Sequence, residues 1–207
     1  MLHYQTIDTP TLELLKQLLS IDVFQQMRLA GGTSLALQYG HRKSIDIDLF
    51  GILPPDSIAI NSALRSLGEV KNLQNHQNIK SYIINGIKVD IVNYPYPWIR
   101  PLIIEDDLRL ASDKDIAAMK LAAITGRGSK KDFVDVYFLL KHYSFTELLN
   151  FYKEKYNDGS VFMVLKSLTY FDDAEEDAGP LQLIPVTWDE IKKAIVSQHK
   201  EYLDSLS

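Results

Sequence analysis

The chain has 207 residues, of which 46% are hydrophobic and 24% charged, and its formal net charge is −5. This length fits one large domain, or a catalytic domain with a helical appendage, and the hydrophobic share allows a sizeable core. The chain contains no cysteine, which excludes disulfides and thiolate metal sites. The acidic balance argues against a general nucleic-acid coat, although five of the 27 acidic residues lie in the run 172–177 and there are 22 basic residues.

No stretch of the sequence has the pattern of a secretory or membrane segment. The first residues, MLHYQTIDTPTLELLKQLL, place charges among the apolar positions and lack a small-residue cleavage site. No apolar run reaches the roughly 18 residues that a spanning helix needs. We therefore expect a cytoplasmic protein of bacterial type without a membrane partner.

The first predicted element is an amphipathic helix over Thr11 to Met27. It follows the start signal Thr9-Pro10 and repeats leucines near helical spacing. Leu29 and Ala30 are then predicted to end a short buried strand, which leads directly into a glycine pair.

This glycine pair, Gly31 and Gly32, is followed by the hydroxyl residue Thr33. Glycine permits positive φ angles and lets a ligand approach the backbone. We expect Thr33 and Ser34 to cap a helix that stops at Gly40. The free N–H groups and the dipole of its first turn favour a bound phosphate. A tight turn and helix cap without a ligand is the alternative, and for this short motif alone it is the commoner case.

The next stretch, SIDIDLF, reads as a β-strand. Because side chains alternate along a strand, Asp46 and Asp48 share one face. The other face carries Ile45, Ile47 and Leu49. Two carboxylates on one face repel each other and need a cation, and magnesium takes hard oxygen ligands while keeping sites for water and phosphates. The stretch therefore predicts a magnesium site, and the alternative is a half-exposed strand whose polar face holds two aspartates.

A third carboxylate follows in a predicted hairpin. Pro54-Pro55-Asp56-Ser57 is expected to start a helix that runs to about Leu67, and Glu69 to Leu73 is a candidate strand. Asn85-Gly86 between two β-branched runs is a strong hairpin pattern. Asp90 lies in the second arm among apolar residues, where a charge needs a partner or a metal. If this arm neighbours the strand with the aspartate pair, three carboxylates converge as ligands for two metals.

Two helices come next, after a predicted strand at 102–104 and a turn at 105–107. We expect Ser112 to cap a helix over 113–125, and a second helix to span 131–142. Lys120 lies near the middle of the first helix. It could reach a triphosphate or stabilise leaving pyrophosphate, and the alternative is a surface lysine.

Asp132 and Asp135 lie three residues apart and share a face of the second helix. From this position they could hold Arg127 or Lys120 in place, and we weight this orienting role above direct catalysis. The remainder of the chain is predicted to be helical at 145–156, 160–170 and from a cap at Thr187 to about Asp204. The acidic run is expected to be a linker or exposed loop.

Together these motifs resemble a known superfamily. A GGT turn, an aspartate-pair strand with Arg42 and Ser44 just ahead, and a later strand aspartate are similar to nucleotidyltransferases of the DNA polymerase β superfamily. More closely, GGTSLAL…HRKSIDIDLF and KLAAITGRGSKKDFVDVYFLL resemble the AbiEii/AbiGii-type toxins of bacterial abortive-infection systems. The resemblance implies an α/β (α+β) fold with a minimal nucleotidyltransferase core, a mixed sheet flanked by helices, over 1–110. A helical region over 111–207 would complete the site.

The resemblance also assigns roles to individual residues. It implies nucleotide binding by Gly31, Gly32, Thr33, Arg42 and Ser44. It implies metal binding and catalysis by Asp46, Asp48 and Asp90, with Lys120 as a further catalytic residue. The late acidic motif is matched by Asp132 and Asp135, which would act with Arg127 as orienting residues. Lys131 stands where the family usually has an arginine, which puts a bidentate arginine role in doubt.

The implied activity uses an NTP as donor, Mg²⁺ or Mn²⁺ as cofactor and RNA such as tRNA as acceptor, and the implied partner is a separate antitoxin. One rival is a small-molecule nucleotidyltransferase of the antibiotic-modifying kind. The other is a protein-binding module that keeps the fold without turnover, and the intact acidic positions count against it.

Overall fold

The computed structural model describes residues 1–53 and 57–206. The chain divides into two compact units: the first comprises Met1–Tyr96 and Pro101–Ala111, and the second comprises Pro97–Arg100 and the chain from Ser112 onwards. Within the described ranges, no helix has the length and apolar character needed to cross a membrane.

The first unit is built on a seven-stranded sheet in the order β3-β4-β5-β2-β1-β7-β6. Its strands are β1 (Met27–Leu29), β2 (Ile47–Gly51), β3 (Val70–Asn75), β4 (Ile79–Ile84), β5 (Ile87–Asn93), β6 (Ile103–Glu105) and β7 (Leu108–Leu110). The pairs β1/β7 and β2/β5 are parallel, whereas the other neighbouring strands are antiparallel. The mixed sheet with flanking helices confirms the predicted fold class.

In the described part of this unit, three α-helices and two short 3-10 helices, Tyr4–Thr6 and Asp22–Phe24, accompany the sheet; the α-helices are α1 (Thr9–Ser20), α2 (Gly31–Tyr39) and α3 (Ser57–Arg65). The predicted continuation of α1 to Met27 is wrong. Met27 instead pairs with Gly51 in the β1/β2 ladder. The Arg109 guanidinium donates to the backbone carbonyls of Leu19, Phe24 and Met27, which satisfies acceptors that a continuous helix would have used.

The core of the first unit fixes which face of the sheet is polar. Ile47 and Leu49 of β2 and Val89 and Ile91 of β5 are fully buried. Because side chains alternate along a strand, the acidic residues between them face the other way. A one-residue slip would exchange these faces and bury the carboxylates, so the core also sets the register of the polar face.

The predicted hairpin is confirmed. Asn85 and Gly86 have φ angles of 51° and 85°, as a type I′ turn requires, and β4 pairs antiparallel with β5. The Asn85 side chain also accepts from the Glu69 N–H and donates to the Leu67 carbonyl. The predicted start of the helix at 54–57 lies outside the described residues except for Ser57, where α3 begins.

The second unit is helical in its described part. It contains α4 (Asp113–Gly126), α5 (Lys130–Leu139), α6 (Phe145–Lys155), α7 (Val161–Leu168), α8 (Asp172–Glu175) and α9 (Trp188–Asp204). The predicted caps at Ser112 and Thr187 accept the expected backbone hydrogen bonds. The acidic run is not the predicted loop throughout, because its first residues form α8. Lys130 Nζ donates to the carbonyls of Glu175 and Asp177, which ties the run to the start of α5.

A buried ion pair, which the sequence did not predict, anchors the segment Pro97–Arg100 within the second unit. Lys155 Nζ lies 2.7 Å from Asp115 Oδ1, and both side chains are fully buried. Asp115 also accepts from the Ile99 and Arg100 N–H groups. Lys155 donates to the Pro97 carbonyl and lies 4.4 Å from the centroid of the Trp98 ring. The charges are fully hydrogen-bonded, which is the condition for burying them.

Candidate active site

The first feature of the site is the contact between Gly31 and Asp48. Helix α2 begins at Gly31, whose φ angle is 62°. A Cβ atom at this position would overlap Asp48 Oδ2 and would lie 3.1 Å from Asp48 Cγ. The glycine therefore lets a carboxylate lie against the first turn of α2, where the helix dipole favours negative charge.

Thr33 does not cap α2, so the predicted cap is wrong. The N-cap residue is Ala30, and no side chain caps the helix. Thr33 Oγ1 instead hydrogen-bonds Ser44 Oγ at 2.8 Å and the carbonyl oxygen of Asp46 at 2.5 Å. Ser34 accepts from Gln38 within the helix. The helix starts at the glycine pair without a capping hydroxyl. The Thr33 hydroxyl instead connects α2 to the chain ahead of β2.

Two of the predicted acidic residues are neighbours in the sheet. Strands β2 and β5 are parallel, and Asp48 lies directly beside Asp90. Both residues are half-buried on the face opposite the core. Asp46 precedes the first residue of β2, and Ile45, expected to share the buried face, is 61% exposed. The second arm of the hairpin, which carries Asp90, thus neighbours the strand that carries Asp48. We call Asp46, Asp48 and Asp90 the carboxylate cluster.

A lysine that the sequence patterns did not predict as a site residue contacts this cluster. Lys88 Nζ forms an ion pair with Asp90 Oδ2. Burial lowers the pKa of Lys88, but the hydrogen bond to Asp90 and the charges of all three carboxylates raise it above its ordinary value. The available signal was the i, i+2 spacing of Lys88 and Asp90, which puts both on one face of a strand.

Asp48 and Asp90 supply carboxylate oxygens of the kind that a divalent cation takes, and cation binding here stays a prediction. Asp90 Oδ1 is buried and has no hydrogen-bond partner among the described residues. In the same part of the chain, no group of three or more His, Asp or Glu side chains is arranged to hold a metal ion by itself. Magnesium is commonly held by one or two carboxylates together with substrate phosphates, so an open set of this kind suits it.

Arg42 and Ser44, predicted to bind nucleotide, have contacts within the protein. Arg42 is 3% exposed, and its Nη1 donates to the carbonyl of Lys43 at 3.0 Å. Ser44 hydrogen-bonds Thr33 through its hydroxyl and donates its backbone N–H to the carbonyl of Thr6. These contacts position the chain ahead of β2, and nucleotide binding by either residue stays a prediction.

The second unit brings together Lys120, Arg127, Asp132 and Asp135. Lys120 is 3% exposed, which excludes a surface lysine. Its Nζ atom lies 2.9 Å from Asp132 Oδ1 and 2.6 Å from Asp135 Oδ2. Arg127 binds both oxygens of Asp132, from Nε at 2.8 Å and from Nη2 at 3.0 Å. Within this unit Asp132 holds both cations and Asp135 holds Lys120, and an orienting role toward a substrate stays a prediction.

Opposing effects determine the protonation of Asp132. Burial raises the pKa of this carboxyl, but the charge of Lys120 and the hydrogen bonds and charge of Arg127 lower it more, so it lies well below its usual range. Ser129 donates a further hydrogen bond to Oδ2 at 2.7 Å. Asp132 is therefore an anion that holds two cations in place.

A family comparison agrees with this arrangement. The sequence model of the family described as the nucleotidyl transferase AbiEii toxin, type IV toxin–antitoxin system, matches residues 13–205. The chain belongs to this AbiEii family. The match confirms the resemblance derived from the sequence, and an AbiEii protein of this system uses an NTP and has an antitoxin partner.

Individual relatives show the same family and fold. An uncharacterized protein of Aquifex aeolicus (strain VF5), aq_aa25, is 36% identical over 199 residues, which cover 93% of this chain and 96% of that protein. The crystal structure of JHP933 from Helicobacter pylori is 18% identical with a TM-score of 0.58, over 97% of this chain and 94% of that one. The solution structure of the antibiotic-resistance factor ANT(2'')-Ia is 14% identical with a TM-score of 0.55, over 70% and 89%. At these sequence identities, the two structures show similarity to this chain in fold alone.

Gly31→Ala is expected to weaken both the fold and nucleotide binding in this AbiEii protein. The positive φ angle costs roughly 1–2 kcal/mol for a residue with a Cβ atom, and the overlap displaces the Asp48 carboxylate. Gly86→Ala is the matched control, because Gly86 also has a positive φ angle but no atom lies within 4 Å of an added Cβ. Urea unfolding and NTP titration measure the two effects. Equal NTP binding by both variants would contradict this account of Gly31.

Proposed function

We propose that this AbiEii protein transfers a nucleoside monophosphate from an NTP to a hydroxyl group of RNA, such as a tRNA, and releases pyrophosphate. We further propose that Mg²⁺ or Mn²⁺ is the cofactor and that the protein acts in the cytoplasm. The observation that carries this proposal is the placement of Asp48. It lies beside Asp90 on a parallel strand and against the glycine start of α2.

The start of α2 supplies the phosphate-binding part of the mechanism. The first N–H groups of an α-helix have no partner within the helix and form the positive end of its dipole. Those of α2 would hold the β- and γ-phosphates. Thr33 keeps this turn next to the segment before β2 through its bonds to Ser44 and the Asp46 carbonyl.

The carboxylate cluster supplies the reactive part. Asp46 and Asp48 would hold the cation, and Asp90 would complete a second cation site. When bound, a divalent cation stabilises charge on the phosphoryl oxygens as a Lewis acid. Asp90 would accept the proton of the attacking hydroxyl, the new P–O bond would form at the α-phosphorus, and its bond to the bridging oxygen of pyrophosphate would break.

The role of Lys120 toward a triphosphate stays a prediction from the family resemblance. Its contacts with Asp132 and Asp135 fix its ammonium group within the second unit. In this proposal Asp132 and Asp135 are positioning residues, and Arg127 is held by Asp132 in the same way.

The choice of acceptor is the point at which this proposal differs from its nearest rival, a small-molecule nucleotidyltransferase. Purified protein is incubated with magnesium and α-labelled NTPs, in one arm with total bacterial RNA and in the other with a panel of aminoglycosides. We expect label in a discrete RNA band and none in the aminoglycosides. Label in an aminoglycoside would show that the acceptor is a small molecule and not RNA. Growth arrest on expression, relieved by the product of a neighbouring gene, would support the toxin role.

A further inference from the structure

Lys88 carries a positive charge that contacts the carboxylate cluster. It precedes Asp90 by two residues on β5, and the parallel ladder of β5 with β2 begins at Val89 beside Ile47. Its ammonium group contacts Asp90 Oδ2, while Asp90 Oδ1 is the buried oxygen that lacks a hydrogen-bond partner. Asp90 therefore has one oxygen paired with lysine and one without a hydrogen-bond partner among the described residues.

We propose that Lys88 is a built-in counter-ion of the carboxylate cluster, and that a divalent cation must displace its ammonium group to use both oxygens of Asp90. The identity of the cation rests on the proposed function, whereas the competition rests only on the contacts of Lys88. A lysine and a divalent cation at the same carboxylates repel each other, so each weakens the binding of the other.

The position of Lys88 allows this exchange. Its side chain is 42% exposed, whereas that of Asp90 is 19% exposed. Because a lysine has a flexible four-carbon stem, the ammonium group can move into water when a cation takes its place beside Asp90. Asp90 stays in place, since its backbone is bonded into the ladder between β4 and β2.

Removal of this counter-ion is expected to tighten metal binding. Lys88→Met keeps much of the stem but removes the charge, and we expect Mn²⁺ to bind about tenfold more tightly, since a charge a few ångströms away shifts the proton affinity of a carboxylate by ten- to a thousandfold. Lys88→Arg is expected to restore the weaker binding. Calorimetric titration with Mn²⁺ alone, without NTP, measures the affinities.

Lys80→Met is the matched control. Lys80 lies on the adjacent strand β4 beside Ile91, a residue of the core face, and its ammonium group donates to Asn75. The variant removes the same charge away from the carboxylate cluster, so its Mn²⁺ affinity is expected to equal that of the wild type. Lys88→Gln serves as a second variant, and thermal unfolding of each protein shows whether it is folded.

Three outcomes would overturn the inference: unchanged or weaker Mn²⁺ binding by both Lys88→Met and Lys88→Gln, equal tightening in Lys80→Met, or no Mn²⁺ binding by any variant. The titration needs neither RNA nor turnover. Tighter Mn²⁺ binding by Lys88→Met would therefore support the counter-ion role of Lys88 even if the protein transferred no nucleotide. Nucleotide transfer by the wild type without tighter Mn²⁺ binding by Lys88→Met would retain the proposed function and reject the counter-ion role.

Discussion

Asp48→Asn is expected to lower nucleotide transfer by at least about a thousandfold while leaving the fold intact. Loss of one preorganised electrostatic group at a reaction centre commonly costs a hundred- to a thousandfold, and Asp48 is also proposed to hold the cation. Asparagine has nearly the same volume, and position 48 is half-buried on the face opposite the core. The contact with Gly31 can therefore be kept, whereas the charge is lost.

The control for this prediction is Asp107→Asn. Asp107 is exposed and has a φ angle of 65°, a conformation that asparagine also tolerates. Transfer of label from an α-labelled NTP is measured for the wild type and for both variants, together with the unfolding midpoint in urea. Full transfer by Asp48→Asn would show that this carboxylate does not take part in the reaction.

Asp132→Asn is expected to cost about 3–5 kcal/mol of folding stability, the range for breaking a buried charge pair by removing one partner. Asp132 is fully buried and accepts hydrogen bonds from Lys120, Arg127 and Ser129. Asparagine carries no charge that could neutralise Lys120. Of the two carboxylates observed beside Lys120, only that of Asp135 would remain.

The pH dependence of this stability has a defined sign. The pKa of Asp132 in the folded state lies well below its value in the unfolded chain, because the effects of Lys120 and Arg127 exceed that of burial. The stabilisation is therefore fully present above the pKa of about 4 that the carboxyl has in the unfolded chain, and it is lost as the pH falls toward the lower pKa of the folded state. We expect the stability difference between the wild type and Asp132→Asn to be constant from pH 7 to about 5 and to shrink below about pH 4.

Urea unfolding at several pH values tests both statements. The control is Asp189→Asn, because Asp189 is an exposed residue of α9 whose ion pair with Lys192 is 3.3 Å long. Such exposed pairs contribute little to stability. A loss in Asp132→Asn no larger than that in Asp189→Asn, or a stability difference that grows in acid, would show that Asp132 does not stabilise the second unit as an anion.

Local sequence patterns predicted those parts of the fold whose geometry a few adjacent residues determine. The Asn85-Gly86 turn, the caps at Ser112 and Thr187 and the end of α2 at Gly40 all follow from backbone preferences of the residues themselves. The alternation around Asp48 and Asp90 predicted their common face for the same reason.

Features that depend on distant residues were not predicted. Helix α1 ends at Ser20 because Met27 pairs with Gly51 and Arg109 binds the carbonyls of Leu19, Phe24 and Met27. Thr33 hydrogen-bonds Ser44 instead of capping its own helix. Lys155 reaches Asp115, which lies 40 residues earlier in the sequence. In each case a tertiary contact competes with a local preference, and a single sequence records only the local preference.

The pairing of Lys88 with Asp90 is an intermediate case. The spacing of the two residues indicated a common face, but lysines on strands are commonly solvated. Only the neighbouring strand, with Asp48 beside Asp90, shows that this lysine lies among three carboxylates.

The measurement that tests the central claim most directly compares two labels on the same NTP. Wild-type protein and Asp46→Asn are incubated with magnesium, total bacterial RNA and each NTP, labelled at either the α- or the γ-phosphate, and the RNA is resolved on a denaturing gel. Transfer of a nucleoside monophosphate predicts α-label in a discrete RNA band, γ-label only in released pyrophosphate, and neither product with Asp46→Asn. Gamma-label in the RNA, or equal α-labelling by Asp46→Asn, would contradict it.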